Sequence, residues 1–233
     1  MRVIALDRPG FGRSDSQKDR RIGDWPDDVL EVADQIGIER FAVLGESGGG
    51  PYAAACACKI PHRVTRAGIA SGWGPATATE ARAGLRWSTR LTLALWRRVP
   101  LLVHLTMWYL ALAARWLPRA VLRRARSRLP PPDQLIVDQP EMQAMMQDAL
   151  RETFRKGGGG QAHETLLFAR PWDFRLEDIA CEVYLWHGEA DKTVPISMGR
   201  YQAQAIPNCR ATFVPEAGHF WIFEHFDEVF ARL

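Results

Sequence analysis

The sequence predicts an α/β fold, in which a mostly parallel sheet carries helices on both faces and a helical insertion interrupts it. Five short apolar segments are each followed by Gly, Pro or Asp, as is typical of buried parallel strands. Segments with helical periodicity lie between them, and this alternation favours parallel strand pairing. Between residues 76 and 178 the periodicity is helical throughout, which predicts the insertion.

The predicted strands span residues 2–6, 41–44, 65–70, 183–186 and 211–214. A first helix is expected from about residue 24 to Gly37, where a glycine follows the last apolar position. Further helices are predicted over Gly50–Lys59 and Ile196–Ala205, and a last one along the spacing of Ile222, Phe226, Val229 and Leu233. The domain organisation expected from this order is a core over 1–75 and 179–233, with the insertion over 76–178.

The insertion contains an apolar run of sixteen residues, 99–114, interrupted by Pro100 and His104. A membrane-spanning helix usually needs about 20 residues. We therefore predict a helix that is buried or lines a pocket, with interfacial membrane contact as the alternative. The run 157–160 consists of four glycines without the Lys-Ser/Thr of a phosphate-binding loop, so a flexible joint is expected. Residues 130–132 are three prolines and predict a stiff spacer between helices.

Charge is distributed unevenly along the chain. The 233 residues have a net charge of +3, yet residues 76–130 contain eleven arginines and one acid, Glu80. A basic module of this kind can attract acidic ligands or anionic lipid, and a solvated arginine-rich helix face is the alternative. The aromatic residues follow helix periodicity, so no nucleic-acid partner is predicted.

Composition excludes several classes of protein. Four cysteines are too few and too scattered for a disulfide framework, and no cluster of His, Cys and carboxylates has metal-ligand spacing. No metal and no cofactor are therefore expected. The opening residues form a short apolar segment without the longer apolar region of a secretion signal, which predicts a cytoplasmic location.

Three polar residues in a fixed order predict the chemistry. Ser47 lies within Gly45-Glu46-Ser47-Gly48-Gly49, directly after a predicted strand, while Asp191 and His219 follow the last two predicted strands, 183–186 and 211–214. A serine between glycines on a sharp strand-to-helix turn is exposed to substrate. Serine is a poor nucleophile without a base, so we predict that His219 takes its proton and that Asp191 orients the imidazole.

On these residues the sequence resembles the α/β-hydrolase family, whose nucleophile, acid and histidine come in this order. The resemblance implies a helical cap at 76–178 and an oxyanion donor at the Gly48 backbone N–H. It also covers the segment Asp7-Arg8-Pro9-Gly10-Phe11-Gly12, a turn of the family. Phe11, Trp108 and Phe220 are the residues that we predict to contact substrate.

The resemblance begins only at residues 1–4, which match the fourth strand of the family. Its first three strands, first helix and oxyanion loop have no counterpart in the sequence, so the second oxyanion donor is missing and the core is N-terminally truncated. We expect the natural product to begin roughly 40–60 residues upstream, from the family pattern.

A serine at the turn favours acyl chemistry, because relatives that form alkyl-ester intermediates use an aspartate there. Hydrolysis of carboxylic esters is the expected reaction. Thioester, lactone and C–C bond hydrolysis, and perhydrolysis, need the same three residues and stay open. The expected partner is a small, hydrophobic acyl substrate, and the oligomeric state is left open. Two alternatives are a non-hydrolytic ligand-binding or receptor-like protein and a catalytically dead truncated chain.

Overall fold

The computed structural model describes residues 2–233, and its centre is a parallel sheet. Within these residues the sheet has four strands in the order β1-β2-β3-β4. They are β1 (Phe41–Glu46), β2 (Val64–Ala70), β3 (Val183–Gly188) and β4 (Cys209–Val214). Every neighbouring pair is parallel, so the carboxyl ends of all four strands lie at one edge. That edge is where ligands bind in open α/β sheets.

The helices between β1 and β2 and after β3 have the bounds that the sequence predicted. The described residues contain α1 (Trp25–Gln35), α2 (Gly50–Lys59), α3 (Trp87–Arg98), α4 (Pro100–Trp116), α5 (Pro118–Arg126), α6 (Pro131–Val137), α7 (Pro140–Thr153), α8 (Gly159–Phe168), α9 (Ile196–Ala205) and α10 (Phe226–Arg232). The predictions for α2 and α9 are confirmed, and α1 ends two residues before Gly37.

Apolar side chains bury both faces of the sheet. On one face Ile69 of β2 and Leu185 of β3 pack with the alanines of α2. On the other face Ala70 and Trp186 pack with Val229 of α10. Neighbouring residues of one strand therefore enter different cores, because side chains alternate across a strand. The prediction of helices on both faces is confirmed.

The prediction of a strand over residues 2–6 is wrong: the structure describes all five residues, and none of them is in a strand. Met1 lies outside the described residues. Residues 2–6 form no ladder with β1, and Val3 and Ile4 are exposed. The apolar sequence alone does not make a strand, because a strand also needs a neighbour for its backbone N–H and C=O groups. Within the described chain, β1 pairs only with β2.

Two predicted joints are shorter than expected. Pro131 is the first residue of α6, a position where the missing proline N–H costs no helical hydrogen bond, so the spacer reduces to Pro130. Gly157 has a φ of 89° and turns the chain, whereas Gly159 already begins α8. The four glycines thus form a tight bend followed by a helix start.

Between β2 and β3 the chain forms the helices α3 to α8. Val103 and Met107 of α4 pack against Ala162 and Leu166 of α8, so one face of α4 is buried. The opposite face of α4 is exposed, which corrects the prediction of a buried or pocket-lining helix. Among residues 2–233 no single helix is long and apolar enough to cross a bilayer. The pair α3 and α4 passes that test only together, and these two helices are bent by 114°.

Candidate active site

The turn between β1 and α2 presents Ser47 at the carboxyl edge of the sheet. Ser47 has a φ of 51°, in the left-handed region that side chains rarely adopt. Glycines make the turn possible: a Cβ on Gly45 would overlap the carbonyl group of Gly49, and a Cβ on Gly50 would lie 2.7 Å from Gly72 Cα. Gly49 faces open space, so close packing explains Gly45 and Gly50 and does not explain Gly49.

A chain of hydrogen bonds joins the three residues singled out from the sequence. Asp191 Oδ2 lies 2.7 Å from His219 Nδ1, and His219 Nε2 lies 2.9 Å from Ser47 Oγ. An ionised carboxylate can only accept, so Nδ1 carries the proton of a neutral imidazole and Nε2 accepts from the serine hydroxyl. His219 and Asp191 are both buried. The arrangement can therefore remove the proton of Ser47.

The loop after β3 fixes the carboxylate of Asp191. Its other oxygen, Oδ1, accepts the backbone N–H groups of Thr193 at 2.7 Å and Val194 at 2.8 Å. The buried ring of His187 lies below this loop, with Nε2 donating to the Val194 carbonyl oxygen at 2.9 Å. Burial lowers the pKa of His187, which keeps that ring neutral. His187 thus shapes the loop that presents Asp191.

Two further acids approach His219, and sequence reasoning gave neither of them a role. Glu46 Oε1 lies 3.4 Å from His219 Nε2. Asp133, at the start of α6, is buried and its Oδ1 accepts the backbone N–H of Phe220 at 2.8 Å. Glu46 directly precedes Ser47, so the sequence alone could have indicated that its carboxylate lies near the proposed nucleophile. Asp133 lies 86 residues before His219 in the sequence, and no local pattern indicates the contact.

These acids decide the protonation of His219. Burial alone would lower its pKa, because a charged imidazolium loses hydration. The hydrogen bond and charge of Asp191, with the charges of Glu46 and Asp133, outweigh burial and raise the pKa of His219 above its usual range. The imidazolium that forms when Ser47 loses its proton is therefore stabilised at this position.

We expect Glu46→Gln to extend activity to lower pH. The general base must be neutral, so kcat/KM falls as pH drops through the pKa of His219. Removing the Glu46 charge lowers that pKa and moves the acid limb of the profile downwards. The measurement is kcat/KM against pH for the wild type and for Glu46→Gln, with the exposed Glu39→Gln as the matched control. An unchanged or upward-shifted acid limb would contradict a charge interaction between Glu46 and His219.

The hydroxyl of Ser47 faces a cavity of about 1340 Å³. Aromatic walls come from Trp73, Trp96 and Phe168, of which Trp73 and Phe168 stack with ring centroids 6.1 Å apart. A Cβ on Gly48 would lie 3.5 Å from the Phe168 ring, so this wall adjoins the proposed oxyanion donor. Gly48 is also in the first helical turn after the strand, where backbone N–H groups lack intrahelical partners.

The three residues predicted to contact substrate lie outside the cavity lining. Phe11 stacks on the guanidinium of Arg8, which does line the cavity, at 5.2 Å. Phe220 packs edge-on against the ring of His219, with ring centroids 5.2 Å apart. Trp108 lies on the outer face of α4 and is 63% exposed. Periodicity places a residue on a helix face but does not say which face turns towards the cavity.

A partly buried ion pair adjoins Ser47 and was not expected from the sequence. Arg8 Nε donates to Glu164 Oε1 at 2.7 Å, and the guanidinium also lies 4.9 Å from the ring centre of Tyr52. Both charged residues line the cavity. Burial raises the pKa of Glu164, although Arg8 acts in the opposite direction.

Residues 2–233 contain no group of three or more His, Cys, Asp or Glu side chains that could hold a metal ion.

Comparison with known proteins agrees with this fold. The sequence model of the alpha/beta hydrolase fold family matches residues 1–226. A 2-hydroxymuconate semialdehyde hydrolase of Pseudomonas putida is 26% identical over 245 aligned residues, which cover 100% of this chain and 75% of the relative.

Solved structures share the fold. A hydrolase from Pseudomonas aeruginosa PA01 superposes with a TM-score of 0.67 at 20% identity, covering 96% of this chain and 76% of that one. The enol-lactonase from Burkholderia xenovorans LB400 has a TM-score of 0.65 at 21% identity, covering 96% and 75%. At such identities the likeness concerns the fold alone.

Proposed function

Because this chain belongs to the alpha/beta hydrolase fold family, we propose that it is a serine hydrolase of carboxylic esters or related acyl compounds. The observation that carries the proposal is the hydrogen-bond chain from Asp191 through His219 to Ser47, at the wall of a cavity. The relative from P. putida is named as a hydrolase, which supports hydrolysis over ligand binding without turnover.

In the first half of the proposed reaction, His219 Nε2 takes the hydroxyl proton while Ser47 Oγ attacks the substrate carbonyl carbon. The Gly48 backbone N–H donates to the oxyanion of the tetrahedral intermediate. When that intermediate collapses, the imidazolium of His219 returns its proton to the leaving group. The products of this half are an acyl ester on Ser47 and a free alcohol.

The second half repeats these steps with water. His219 removes a proton from a water molecule, whose oxygen attacks the acyl carbon, and the collapse returns the proton to Ser47 Oγ. Asp191 keeps its charge throughout, because its role is to hold the ring and stabilise the imidazolium. The raised pKa of His219 fits this role, since the acids around it favour the charged form.

The cavity walls support a hydrophobic acyl substrate. Trp73, Trp96 and Phe168 offer apolar contact area near Ser47. Arg86 and Arg128 also line the cavity and could contact an anionic group of the substrate. Since α3 and α8 supply walls of the cavity, we also propose that residues 76–178 act as a cap that excludes water during the reaction.

A fluorophosphonate tests the proposal, because it reacts covalently with an activated serine. We expect one adduct per chain in the intact mass, mapped to the peptide that contains Ser47, and no adduct on Ser47→Ala. A folded chain that stays unlabelled would overturn the proposal and favour a catalytically dead chain. Labelling together with retention of an ester and no second turnover would favour a receptor-like protein.

A further inference from the structure

Helix α4 has two apolar faces, and only one of them is covered. Val103 and Met107 pack against α8. The opposite face exposes large apolar side chains at helical spacing, Leu101, Leu105, Trp108, Leu112 and Trp116, which together we name the outer face of α4. A surface helix normally has one apolar stripe towards the core and a polar side towards water. Contiguous exposed apolar surface of this kind marks an interaction site.

Positive charge is concentrated at both ends of the outer face. Arg97 and Arg98 end α3 just before α4 begins, and Arg115 and Arg119 stand where α4 gives way to α5. Of the eleven arginines between residues 76 and 130, within the described chain only Arg126 forms an ion pair, with Asp138. The remaining guanidinium groups have no carboxylate partner there, so the charge is available to an anionic ligand.

Helix α3 connects this surface to the cavity. Thr92 and Trp96 line the cavity beside Ser47, whereas Trp87 and Leu91 of the same helix are exposed. A partner that binds the exposed apolar residues of α3 and α4 is therefore separated from the cavity at Ser47 by helix α3. A hydrophobic substrate dissolved in such a partner would have a short path to the cavity.

We propose that the outer face of α4 docks on an anionic phospholipid bilayer. Leucine and tryptophan side chains enter the boundary between headgroups and acyl chains, and the arginines at both ends bind lipid phosphates. Tryptophan is enriched at such interfaces. A second copy of the chain fits less well, because two equal faces would bring together two segments that each carry eleven arginines and one acid.

Flotation with vesicles tests this surface. We expect the full chain to float with vesicles of equal parts phosphatidylglycerol and phosphatidylcholine, and to bind pure phosphatidylcholine at least about tenfold more weakly. Binding should also weaken as salt rises. Leu105→Asp, at a position 53% exposed, should reduce binding about tenfold or more, since one buried leucine and one unfavourable charge are exchanged.

The matched control is Ile36→Asp, at the residue that directly follows α1; Ile36 is 40% exposed and lies outside the helical segment 76–178. It should bind as the wild type does. A second pair compares Arg119→Gln, expected to weaken binding about fivefold, with Arg40→Gln, expected to leave it unchanged. Fluorophosphonate labelling of Ser47 checks that each variant is folded, independently of lipid binding.

Three results would overturn the proposal. The first is absence of binding to the anionic vesicles at low salt by a chain whose Ser47 is labelled. The second is a dimer in solution that Leu105→Asp dissociates while vesicle binding is absent, which would assign the outer face to a second copy. Equal losses in Arg119→Gln and Arg40→Gln would also contradict it, because they would indicate attraction by overall charge.

Discussion

Replacing Ser47 with alanine is expected to lower kcat for an accepted ester by a factor on the order of 10⁴ to 10⁶. His219→Ala should cost a similar factor, and the double variant little more than either single one. The reason is that Ser47 and His219 act as one unit: a base 2.9 Å from a hydroxyl has no proton to remove once the hydroxyl is gone. Steady-state kinetics of the two single variants and the double variant measure these losses of kcat.

The controls come from the same cavity and the same region of the chain. Ser88→Ala removes another hydroxyl that lines the cavity, and His225→Ala removes another imidazole, whose Nδ1 donates to the Trp221 carbonyl oxygen. Both should change kcat far less than the loss of Ser47. If the losses from Ser47→Ala and His219→Ala multiplied in the double variant, the two residues would be acting independently, and the shared mechanism would be wrong.

Much of the fold could be predicted because local sequence and packing agree in the core. The run before Ser47 is apolar and becomes β1, and the alanine-rich segment after it becomes α2, which packs closely on the sheet. The turn at Gly45 and Ser47 could also be predicted from the sequence, because a strained strand-to-helix turn requires small residues next to the serine. The strands predicted over 41–44, 65–70, 183–186 and 211–214 are all present, each with one or two further residues.

The errors concern contacts between distant segments. Residues 2–6 have the composition of a strand, but strand formation also depends on a neighbour that local sequence cannot supply. Helix α4 was recognisable as a helix, yet both its faces are apolar, so periodicity could not decide which one is buried. The approach of Asp133 to His219 and the pairing of Arg8 with Glu164 join residues 86 and 156 positions apart. Only the tertiary structure brings such pairs together.

Gly45→Ala is expected to reduce kcat/KM at least about a hundredfold, because the serine turn has no room for a methyl group there. The added Cβ would overlap the carbonyl group of Gly49 and would lie 2.8 Å from the Cβ of Ala53 on α2. Neither neighbour is the free end of a flexible side chain, so the backbone of the turn itself must shift. We also expect the free energy of unfolding to fall by about 1–3 kcal/mol, as overpacking usually costs.

Gly49→Ala is the matched control, since it adds the same methyl group to the same turn. Gly49 has helical backbone angles, with φ −77° and ψ −22°, and a Cβ there meets nothing within 4 Å. The free energy of unfolding of Gly49→Ala should therefore equal that of the wild type or exceed it by up to about 1 kcal/mol, because alanine loses less backbone entropy than glycine on folding. Labelling of Ser47 and chemical denaturation of both variants would separate the two positions. Equal damage from Gly45→Ala and Gly49→Ala would mean that the turn requires glycine for flexibility, and that the close approach of Gly45 to Gly49 does not control the position of Ser47.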